Sequence, residues 1–358
     1  MDITWENSSA ERVNSICPIC GVSELHKRIL WIPNPYVENN KLHFFKCQSC
    51  ESLGVISNHL MEYTDSEGLN PVAWSHYAHV GAGIDFMVRP IERIIPRIER
   101  STLLDVGCGY GFTLDYWRTM VGSVAVGVEP AEYGKLGRDL LGLDIHFVDL
   151  DHNESLKGQF FDIVYSSEVI EHVSNPKSFL TSLRSHLKRD GTLVITTPSA
   201  EFVKPESSYS VLLAVLSPGL HKLLFSASAL EATLRQAGFR YIVVENQEER
   251  LVAFASDEPL QIREPSEIIS NRYIDYLSRR AIAPGLHQDL RIGFSFRAFK
   301  ELVNCGRIEE AYPFAKIFIK SVAVAFNFDP SDGEEVLGRV MSLDNISEYA
   351  KSIPFCLG

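Results

Sequence analysis

Four cysteines near the N-terminus have the spacing of a metal site. Cys17 and Cys20 form one C-x-x-C turn, and Cys47 and Cys50 form a second. Each turn presents two thiolates at the spacing that tetrahedral zinc requires, and two such turns complete a four-sulfur site. The segment is too short to bury an adequate core alone, so bound metal would supply much of its stability. The pattern predicts a structural zinc site at these four residues.

A glycine-rich turn follows an apolar run at residues 102–106. The turn reads Gly-Cys-Gly-Tyr-Gly at residues 107–111, and glycine lets a backbone approach a ligand where a Cβ atom would collide. The next apolar run ends at Glu129, about twenty residues after Gly109, which is the offset at which a carboxylate reaches a ribose diol. Asp105 either contacts the ligand or caps the loop. We therefore expect a nucleotide-type cofactor here, with Glu129 exposed at the strand end.

Two carboxylates and an imidazole follow a later apolar run. Glu168, Glu171 and His172 come directly after residues that end near Ser167, and ligands of doubly wound sheets bind at this carboxyl edge. His172 suits general base catalysis. His221 would add a second imidazole, although it could equally be an ordinary loop histidine. Two carboxylates and two imidazoles suit Mg, Mn, Fe or Zn, so the segment predicts either a proton acceptor or a divalent metal site.

The elements that must position these residues follow the pattern of a parallel sheet with crossover helices, because short apolar runs alternate with amphipathic stretches after residue 101. Strands are predicted at Thr102–Val106, Val124–Val128, Ile145–Val148, Phe161–Ser166, Thr192–Thr196, Arg240–Glu245 and Leu251–Ala255. Helices are predicted at Phe112–Val121, Ala131–Leu141, Asn175–Lys188 and Ala227–Ala237. The pattern thus gives a seven-stranded α/β sheet.

We expect four regions along the chain. A zinc ribbon occupies residues 1–60 and a helical connector or lid residues 61–100, with a helix at Ile84–Ile95. The sheet domain occupies residues 101–257. Helical periodicity predicts a C-terminal domain at residues 258–358, whose role is to cover apolar sheet surface or to form a subunit contact rather than to bind peptides.

Composition restricts the classes of partner. The chain has 358 residues, 45% of them hydrophobic, and a formal net charge of −12. This charge argues against wide contact with nucleic acid or anionic lipid, which depends on clustered Lys and Arg. The most apolar stretch, residues 210–225, is broken by Pro218 and His221, so no membrane span is expected. The polar, acidic N-terminus lacks a signal-peptide pattern, which predicts a cytoplasmic protein. The sequence leaves homo-oligomerisation open.

The ordered motifs resemble those of class I S-adenosylmethionine-dependent methyltransferases. They are the glycine turn, Glu129, Phe-Asp-Ile-Val-Tyr at 161–165, Glu-Val-Ile-Glu-His-Val at 168–173, and Leu-Lys-Arg-Asp-Gly-Thr-Leu-Val-Ile at 187–195. The resemblance covers about residues 102–245. It implies a Rossmann-like seven-stranded methyltransferase sheet, here with an N-terminal zinc ribbon and a C-terminal helical region.

The same resemblance implies roles for individual residues. Asp105, Gly107 and Gly109 would lie against the methionine part of S-adenosyl-L-methionine, and Glu129 would bind both ribose hydroxyls. The candidates that face the adenine are Asp149 and Leu150. An NAD site would require a second mononucleotide-binding half and a Gly-x-Gly-x-x-Gly turn, neither of which the sequence contains.

The segment at 168–172 is similar to that of the ubiquinone-pathway O-methyltransferases and of the plant small-RNA 2′-O-methyltransferase. In those enzymes two Glu and a His, joined by a later His, bind a divalent metal over a vicinal diol. The resemblance implies Glu168, Glu171, His172 and His221 as ligands of Mg, Mn or another divalent metal, with Glu168, His172 and His221 in catalysis. Metal-free base catalysis by His172 stays open.

The expected function is O-methylation of a small polar acceptor such as a sugar, a nucleotide-sugar or another diol. Bacterial methyltransferases of glycan and secondary-metabolite pathways resemble this chain in carrying a cysteine-rich zinc segment, which favours a ribbon that shapes the cleft. Three alternatives remain: an RNA methyltransferase that uses the cations around the ribbon, a C-methyltransferase of a keto-sugar, and a non-catalytic cofactor-binding protein. The cations are Lys27, Arg28, Lys41 and Lys46.

Overall fold

The computed structural model describes residues 2–6, 12–57, 59–61, 71–81, 84–94, 100–264, 267–342, 348 and 351–357. These residues form two sheets and eleven α-helices. The strands are β1 Thr4–Trp5, β2 Arg12–Ile16, β3 Ser23–Pro33, β4 Lys41–Lys46, β5 Leu53–Ile56, β6 Leu103–Val106, β7 Ala125–Val128, β8 Ile145–His146, β9 Phe161–Ser167, β10 Leu187–Pro198, β11 Leu223–Leu224, β12 Tyr241–Gln247 and β13 Arg250–Ser256.

Most of the helices are amphipathic, as expected of elements that cover a sheet, whereas the helix at Tyr209–Leu216 is almost entirely apolar. The helices are α1 Pro71–Ser75, α2 Ile84–Glu92, α3 Phe112–Met120, α4 Glu132–Leu141, α5 Pro176–Ser185, α6 Tyr209–Leu216, α7 Ala227–Gln236, α8 Glu267–Ala281, α9 Gln288–Asn304, α10 Ile308–Phe326 and α11 Gly333–Met341. A π-helical turn at His76–Val80 follows α1.

The central sheet has the strand order β12-β13-β10-β9-β6-β7-β8. Strands β8, β7, β6, β9 and β10 pair in parallel. Strand β13 pairs antiparallel with both of its neighbours, β10 and β12. Sheets of this kind bury both faces, which explains the nearly continuous apolar strands in the sequence. The predicted Rossmann-like seven-stranded sheet is confirmed. One helix is shorter than predicted, because α5 ends at Ser185 and Leu187 pairs with Phe161 at the start of β10.

Two apolar cores lie on opposite faces of this sheet. One contains Trp117 of α3 together with Tyr276 of α8 and Phe294 of α9. The other contains Leu183 of α5 and Leu230 of α7. The C-terminal helices therefore cover one face of the sheet. The predicted helix at Ile84–Ile95 ends at Glu92, and Ile95 lies outside the described residues.

The N-terminal sheet contains a strand that the sequence did not predict. Strand β11 lies between β10 and β12 in the chain, yet it pairs antiparallel with β5, so that Leu224 is opposite Leu53. Helix α6 packs Leu212 and Leu216 on the same sheet, against Leu30 and neighbouring residues. The segment at 199–225 thus binds the N-terminal sheet to the central domain.

A buried carboxylate joins the C-terminal helices to the sheet domain. Asp115 of α3 is fully buried, accepts a hydrogen bond from Tyr276 Oη at 2.9 Å and is paired with Arg280 at 2.9 Å. Arg118 donates to its other oxygen at 3.0 Å. A buried carboxylate stays charged only when it is paired and hydrogen-bonded in this way. Among the described residues, no helix is long and apolar enough to cross a membrane.

We predict that Asp115→Ala lowers the free energy of unfolding by about 3 kcal/mol, because it leaves Arg280 and Tyr276 without their buried partner. Urea denaturation measures this change. Asp139→Ala is the matched control, since Asp139 is exposed and forms a surface ion pair with the neighbouring Arg138; a change below about 0.5 kcal/mol is expected there. Equal losses in both variants would contradict the role of Asp115.

Candidate active site

A cavity of about 460 Å³ opens at the carboxyl edge of the central sheet. Its size is within the range of small-molecule sites. Strands β6, β7 and β9 end here, because β6 pairs in parallel with both neighbours. The residues that line it include Tyr77, Met87, Asp105, Gly107, Gly109, Tyr110, Phe112, Glu129, Tyr133, Tyr165, Ser167, Glu168, Val169, His172, Ala214, Ser217, Leu220, His221 and Arg250.

The carboxylate of Glu129 accepts a hydrogen bond from the backbone of the glycine turn. The N–H of Gly109 donates to Glu129 Oε2 at 3.0 Å, and the N–H of Ala131 donates to Oε1 at 2.9 Å. Glu129 is only 4% exposed, whereas an exposed carboxylate without a structural duty was expected. The expectation was wrong on exposure, since these two backbone donors replace water around the charge. Glu129 therefore also holds the turn in shape.

Two residues of this turn region are constrained in different ways. Gly111 has a φ of 79°, and a Cβ atom there would lie 2.5 Å from Leu143 Cδ1, so this glycine permits close packing. Asp105 is 2% exposed. Burial, and then the charge of Glu129, raises the pKa of Asp105 to about 8. The carboxyl group of Asp105 is therefore largely protonated at neutral pH in the free protein.

Three of the four predicted metal ligands come together. Oε1 of Glu171 lies 3.8 Å from His221 Nε2 and 4.0 Å from His172 Nε2, and the two imidazole rings are 4.8 Å apart. Oε2 of Glu171 accepts a hydrogen bond from Thr197 Oγ1 at 2.9 Å. The carboxylate is fully buried, and its Oε1 has no hydrogen-bond partner in the part of the chain that the structure describes. The cluster has the separations of a metal site with Glu171, His172 and His221 as ligands.

Backbone contacts fix the tautomers of the two histidines. His221 Nδ1 lies 2.8 Å from the carbonyl of Val215, and His172 Nδ1 lies 3.1 Å from that of Leu220. A carbonyl only accepts, so each neutral ring carries its proton on Nδ1 and its lone pair on Nε2. Burial lowers the pKa of His172, and burial followed by His172 lowers the pKa of His221 to about 3. Both rings are therefore neutral at physiological pH.

Glu168 lines the same cavity but lies outside this cluster. Its Oε1 accepts hydrogen bonds from Thr196 Oγ1 at 2.9 Å and from Arg250 Nε at 3.1 Å. Its φ is 56°, a left-handed conformation that is strained for a residue other than glycine and is frequent at functional sites. Sequence reasoning missed Arg250, because its cation approaches Glu168 only through the antiparallel pairing of β13 with β10.

The two residues expected near adenine do not line the cavity. Asp149 precedes a short 3₁₀ turn that starts at Leu150, and Leu150 packs in the core on the other face of the sheet. Aromatic residues line the cavity instead. The ring of Tyr110 lies 5.0 Å from that of Tyr77 and 5.4 Å from that of Tyr133. Of these aromatic residues, Tyr110 lies within the glycine turn that the sequence had already indicated.

The four cysteine thiols converge as the spacing predicted. The Sγ atoms of Cys17 and Cys50 are 3.6 Å apart, as are those of Cys20 and Cys47, and all four lie within 4.8 Å of one another. A tetrahedron with Zn–S bonds of about 2.3 Å has sulfur separations of about 3.8 Å. The cluster therefore has the shape and donor atoms that zinc requires.

The cysteine-containing sheet supports the loop that carries His221. Val55 of β5 donates its N–H to the carbonyl of Lys222 at 3.2 Å, and Met61 donates to the carbonyl of Gly219 at 2.9 Å. Lys222 in turn donates its N–H to the carbonyl of Glu171 at 2.9 Å. The ribbon thus contacts one wall of the cavity through the backbone of residues 219–222.

Residues 77–244 match the family model described as a methyltransferase domain. A tRNA U34 carboxymethyltransferase of Cronobacter sakazakii is 32% identical over 194 residues, which cover 47% of this chain and 57% of the relative. One of Pseudomonas aeruginosa is 36% identical over 166 residues, covering 41% and 48%. A solved S-adenosylmethionine-dependent methyltransferase of Archaeoglobus fulgidus is 20% identical, with a TM-score of 0.40, and the alignment covers 49% of this chain and 93% of that chain.

The match to a methyltransferase domain over residues 77–244 supports the predicted methyltransferase fold and class of enzyme. The chain spans about half the length of the curated relatives it matches. The expectation that nucleic acid is not a partner is not supported, because these relatives are named for a tRNA substrate. The acceptor of this chain is therefore not fixed by the comparisons.

We predict that the affinity for S-adenosylmethionine falls as the pH drops below about 6. Burial raises the pKa of Glu129 to about 6, against its bonds to Ala131 and Gly109, and a ribose diol needs the ionised carboxylate as its acceptor. The carboxylate is present above this pKa and lost below it, so affinity should fall about tenfold per pH unit under 6. Calorimetry between pH 5 and 8 measures it. Glu129→Gln is the control, expected to bind weakly at every pH; an unaltered pH profile in this variant would contradict the assignment.

Proposed function

We propose that this chain transfers a methyl group from S-adenosylmethionine to a hydroxyl oxygen of a polar acceptor bound beside Glu171, His172 and His221. The observation that carries the proposal is the buried Oε1 of Glu171, which has no hydrogen-bond partner among the described residues and faces two imidazoles at 3.8 and 4.0 Å. The acceptor class that we favour is a sugar, a nucleotide-sugar or another diol.

The cofactor end of the cavity fits this assignment. Gly107 and Gly109 have φ values of 76° and 54°, and a Cβ atom at Gly109 would meet no neighbour closer than 4.0 Å, so the backbone there is open to a ligand. We assign Asp105, Gly107 and Gly109 to the methionine part and Glu129 to the ribose. The assignment of Asp149 and Leu150 to the adenine stays a prediction, since neither residue is among those that line the cavity. The bound cofactor would supply the methyl group on a sulfonium leaving group.

The acceptor end fits a divalent cation. Neutral His221 presents the lone pair of Nε2 towards the carboxyl group of Glu171, whose Oε1 lies 3.8 Å away, too far for a hydrogen bond. Burial, and then Glu168, raises the pKa of Glu171 well above its usual range, so this group holds its proton in the free protein. A bound cation would displace that proton and accept electron pairs from both Glu171 and His221. Such a cation, for example Mg or Mn, would lower the pKa of an acceptor hydroxyl.

The residues at the acceptor end of the cavity have separate proposed roles. We propose Glu171, His172 and His221 as the metal-binding set, which are three of the four ligands that the resemblance to the ubiquinone-pathway enzymes implies. Glu168 orients the acceptor together with Arg250, since the two side chains form one ion pair on the cavity wall at 3.1 Å. In the metal-free alternative, Nε2 of His172 accepts the hydroxyl proton directly.

The proposed organisation of the chain follows from the same contacts. We retain a zinc ribbon at 1–60, a connector at 61–100, the methyltransferase domain at 101–257 and a helical domain at 258–358. Zinc at the four cysteines would fold the ribbon, and the ribbon would brace residues 219–222 at the acceptor end of the cavity. This supports a ribbon that shapes the substrate cleft.

A second candidate function is modification of tRNA, because the relatives that share up to 36% identity are named for it. Arg12, Lys27 and Lys46 lie directly opposite one another on strands β2, β3 and β4. Like charges in such positions repel one another, and although Lys46 also pairs with Glu51 at 3.7 Å, a bound RNA backbone would relieve the repulsion along this row. The same domain would then act on a nucleoside held at the cavity.

A labelled methyl-transfer assay distinguishes the two candidates. S-adenosylmethionine with a labelled methyl group is incubated with the protein and, in parallel, with nucleotide-sugars, catechols and total RNA. We expect label in a hydroxyl-bearing small molecule. Label that appears only in RNA would refute the leading proposal and support the second candidate.

We predict that Glu171→Gln and His221→Ala lower turnover of that acceptor by about 100-fold or more, with the affinity for S-adenosylmethionine preserved. Chelation that leaves the sulfur-bound zinc in place should have the same effect, and added Mg or Mn should restore it. Glu154→Gln, on an exposed carboxylate that pairs only with Lys157, is the control. Full turnover in both variants and after chelation would rule out the metal.

We also predict that Cys20→Ser reduces bound zinc from about one ion per chain to a small fraction of that and lowers turnover. The reason is that β5 and Met61 hold residues 219–222, so an unfolded ribbon releases the His221 loop. Metal analysis and the transfer assay measure the two effects. Cys305→Ser is the control, because Cys305 is exposed and lies outside the cluster. Zinc loss without any loss of turnover would show that the ribbon does not support the site.

A further inference from the structure

The π-helical turn at His76–Val80 delivers one aromatic side chain to the cavity. Tyr77 lines the cavity, and its ring lies 5.0 Å from that of Tyr110 in the glycine turn. Trp74, one turn earlier, lies 5.2 Å from the same Tyr110 ring. π-helical turns are rare and often occur at functional sites. The turn ends at Gly81, whose φ of 84° closes it in a left-handed conformation.

The first residues of α9 hold this turn through a carboxylate. Asp289 accepts a hydrogen bond from Trp74 Nε1 at 2.7 Å with one oxygen, and His79 Nε2 lies 3.4 Å from the other. Burial acts to raise the pKa of Asp289, but the bonds from His79 and Trp74 outweigh it and hold the pKa below its usual range. The carboxylate is therefore charged and bound to both ends of the segment that carries Tyr77.

Further along the C-terminal region, two more contacts brace the same turn. A Cβ atom at Gly293 of α9 would lie 1.7 Å from the carbonyl oxygen of Ala78, so only glycine allows this helix to pack there. The N–H of Phe355 donates to His79 Nδ1 at 3.3 Å. Residues 289, 293 and 355 thus surround the turn on the side away from the cavity.

We infer that the ring of Tyr77 is a binding residue for S-adenosylmethionine and that the C-terminal helical region, through Asp289, is the scaffold that positions it. The inference rests on the proposed function in one respect, namely that the cavity holds this cofactor. In this inference the C-terminal helical region positions a binding residue, in addition to covering one face of the sheet. Asp289 touches neither ligand nor cavity and is a positioning residue.

The surroundings of Tyr77 suit a cationic ligand. The rings of Tyr77, Tyr110 and Tyr133 form one aromatic wall of the cavity, and the carboxylates of Glu129 and Glu168 line the same cavity. Aromatic faces and carboxylates both favour a positive charge. Burial, followed by Glu168 and Glu129, raises the pKa of Tyr77, so the phenol stays neutral. A sulfonium with an adjoining ammonium group is such a ligand.

Calorimetric titration of the zinc-loaded full chain with S-adenosylmethionine and S-adenosylhomocysteine tests the contact without any acceptor. We expect Tyr77→Ala to weaken both ligands by about tenfold, as for a buried aromatic contact. Tyr77→Phe keeps the ring and should stay within about threefold of the unaltered protein. Unchanged affinity in Tyr77→Ala, or an equal loss in Tyr77→Phe, would overturn the ring contact.

A double-mutant cycle tests the positioning role. Asp289→Ala should weaken both ligands several-fold, and combining it with Tyr77→Ala should cause no loss beyond that of Tyr77→Ala alone, because Asp289 acts only through the tyrosine. Asp289→Asn keeps an oxygen for Trp74 and should recover part of the affinity. Asp332→Ala is the control, since Asp332 caps α11 with two backbone hydrogen bonds and should not alter binding.

The outcomes separate this inference from the proposed function. Losses that add in the double variant, or a loss in Asp332→Ala equal to that in Asp289→Ala, would overturn the scaffold role. If the unaltered protein binds neither ligand, both the proposed function and this inference are overturned. If it binds them and the variants behave as expected, but no acceptor receives a methyl group, only the proposed reaction is overturned. Thermal melts of each variant confirm that the chain is folded.

Discussion

Parallel pairing of β6 with both β7 and β9 is the constraint on which the site depends. Asp105 lies opposite Gly127 on one side and Tyr165 on the other, so the three strands end at one edge. The backbone must turn sharply at each end, which brings the glycine turn, Glu129 and Glu168 around a single cavity. Strand pairing alone therefore gathers residues that lie up to about sixty positions apart, before any side chain contributes.

Most strands and turns at this edge of the sheet could be predicted, because each is indicated by residues that are adjacent in the sequence. The buried strands are short apolar runs, and the glycine turn must follow one of them directly. Seven strands were expected, and the central sheet has seven. The burial of Glu129 was not predictable in the same way, because it depends on the N–H groups of Gly109 and Ala131, which approach only when two loops close on each other.

Two parts of the site depend on contacts between segments that are distant along the chain. Arg250 reaches Glu168 across two strands, and Tyr77 reaches the cavity only because α9 and the residues near 355 hold its turn. Neither residue belongs to a periodic pattern. Glu168 was grouped with Glu171 and His172 by spacing, whereas its Oε1 accepts hydrogen bonds from Thr196 and Arg250 and it lies outside the cluster of Glu171, His172 and His221. Spacing along a chain predicts which residues share a loop, but not which way each side chain turns.

Strand β11 also affects the order in which the chain can fold. Its pairing with β5 and the bond from Ser226 N–H to Ser52 Oγ join residues that are about 170 positions apart. The entropic cost of closing so long a loop precedes the contacts that the closure makes possible. During synthesis the N-terminal sheet therefore emerges with an open edge at β5, and that edge stays unpaired until residue 226 has left the ribosome. An exposed strand edge is a template for pairing with other chains, so nascent chains can associate through β5 until β11 has been synthesised and paired with it.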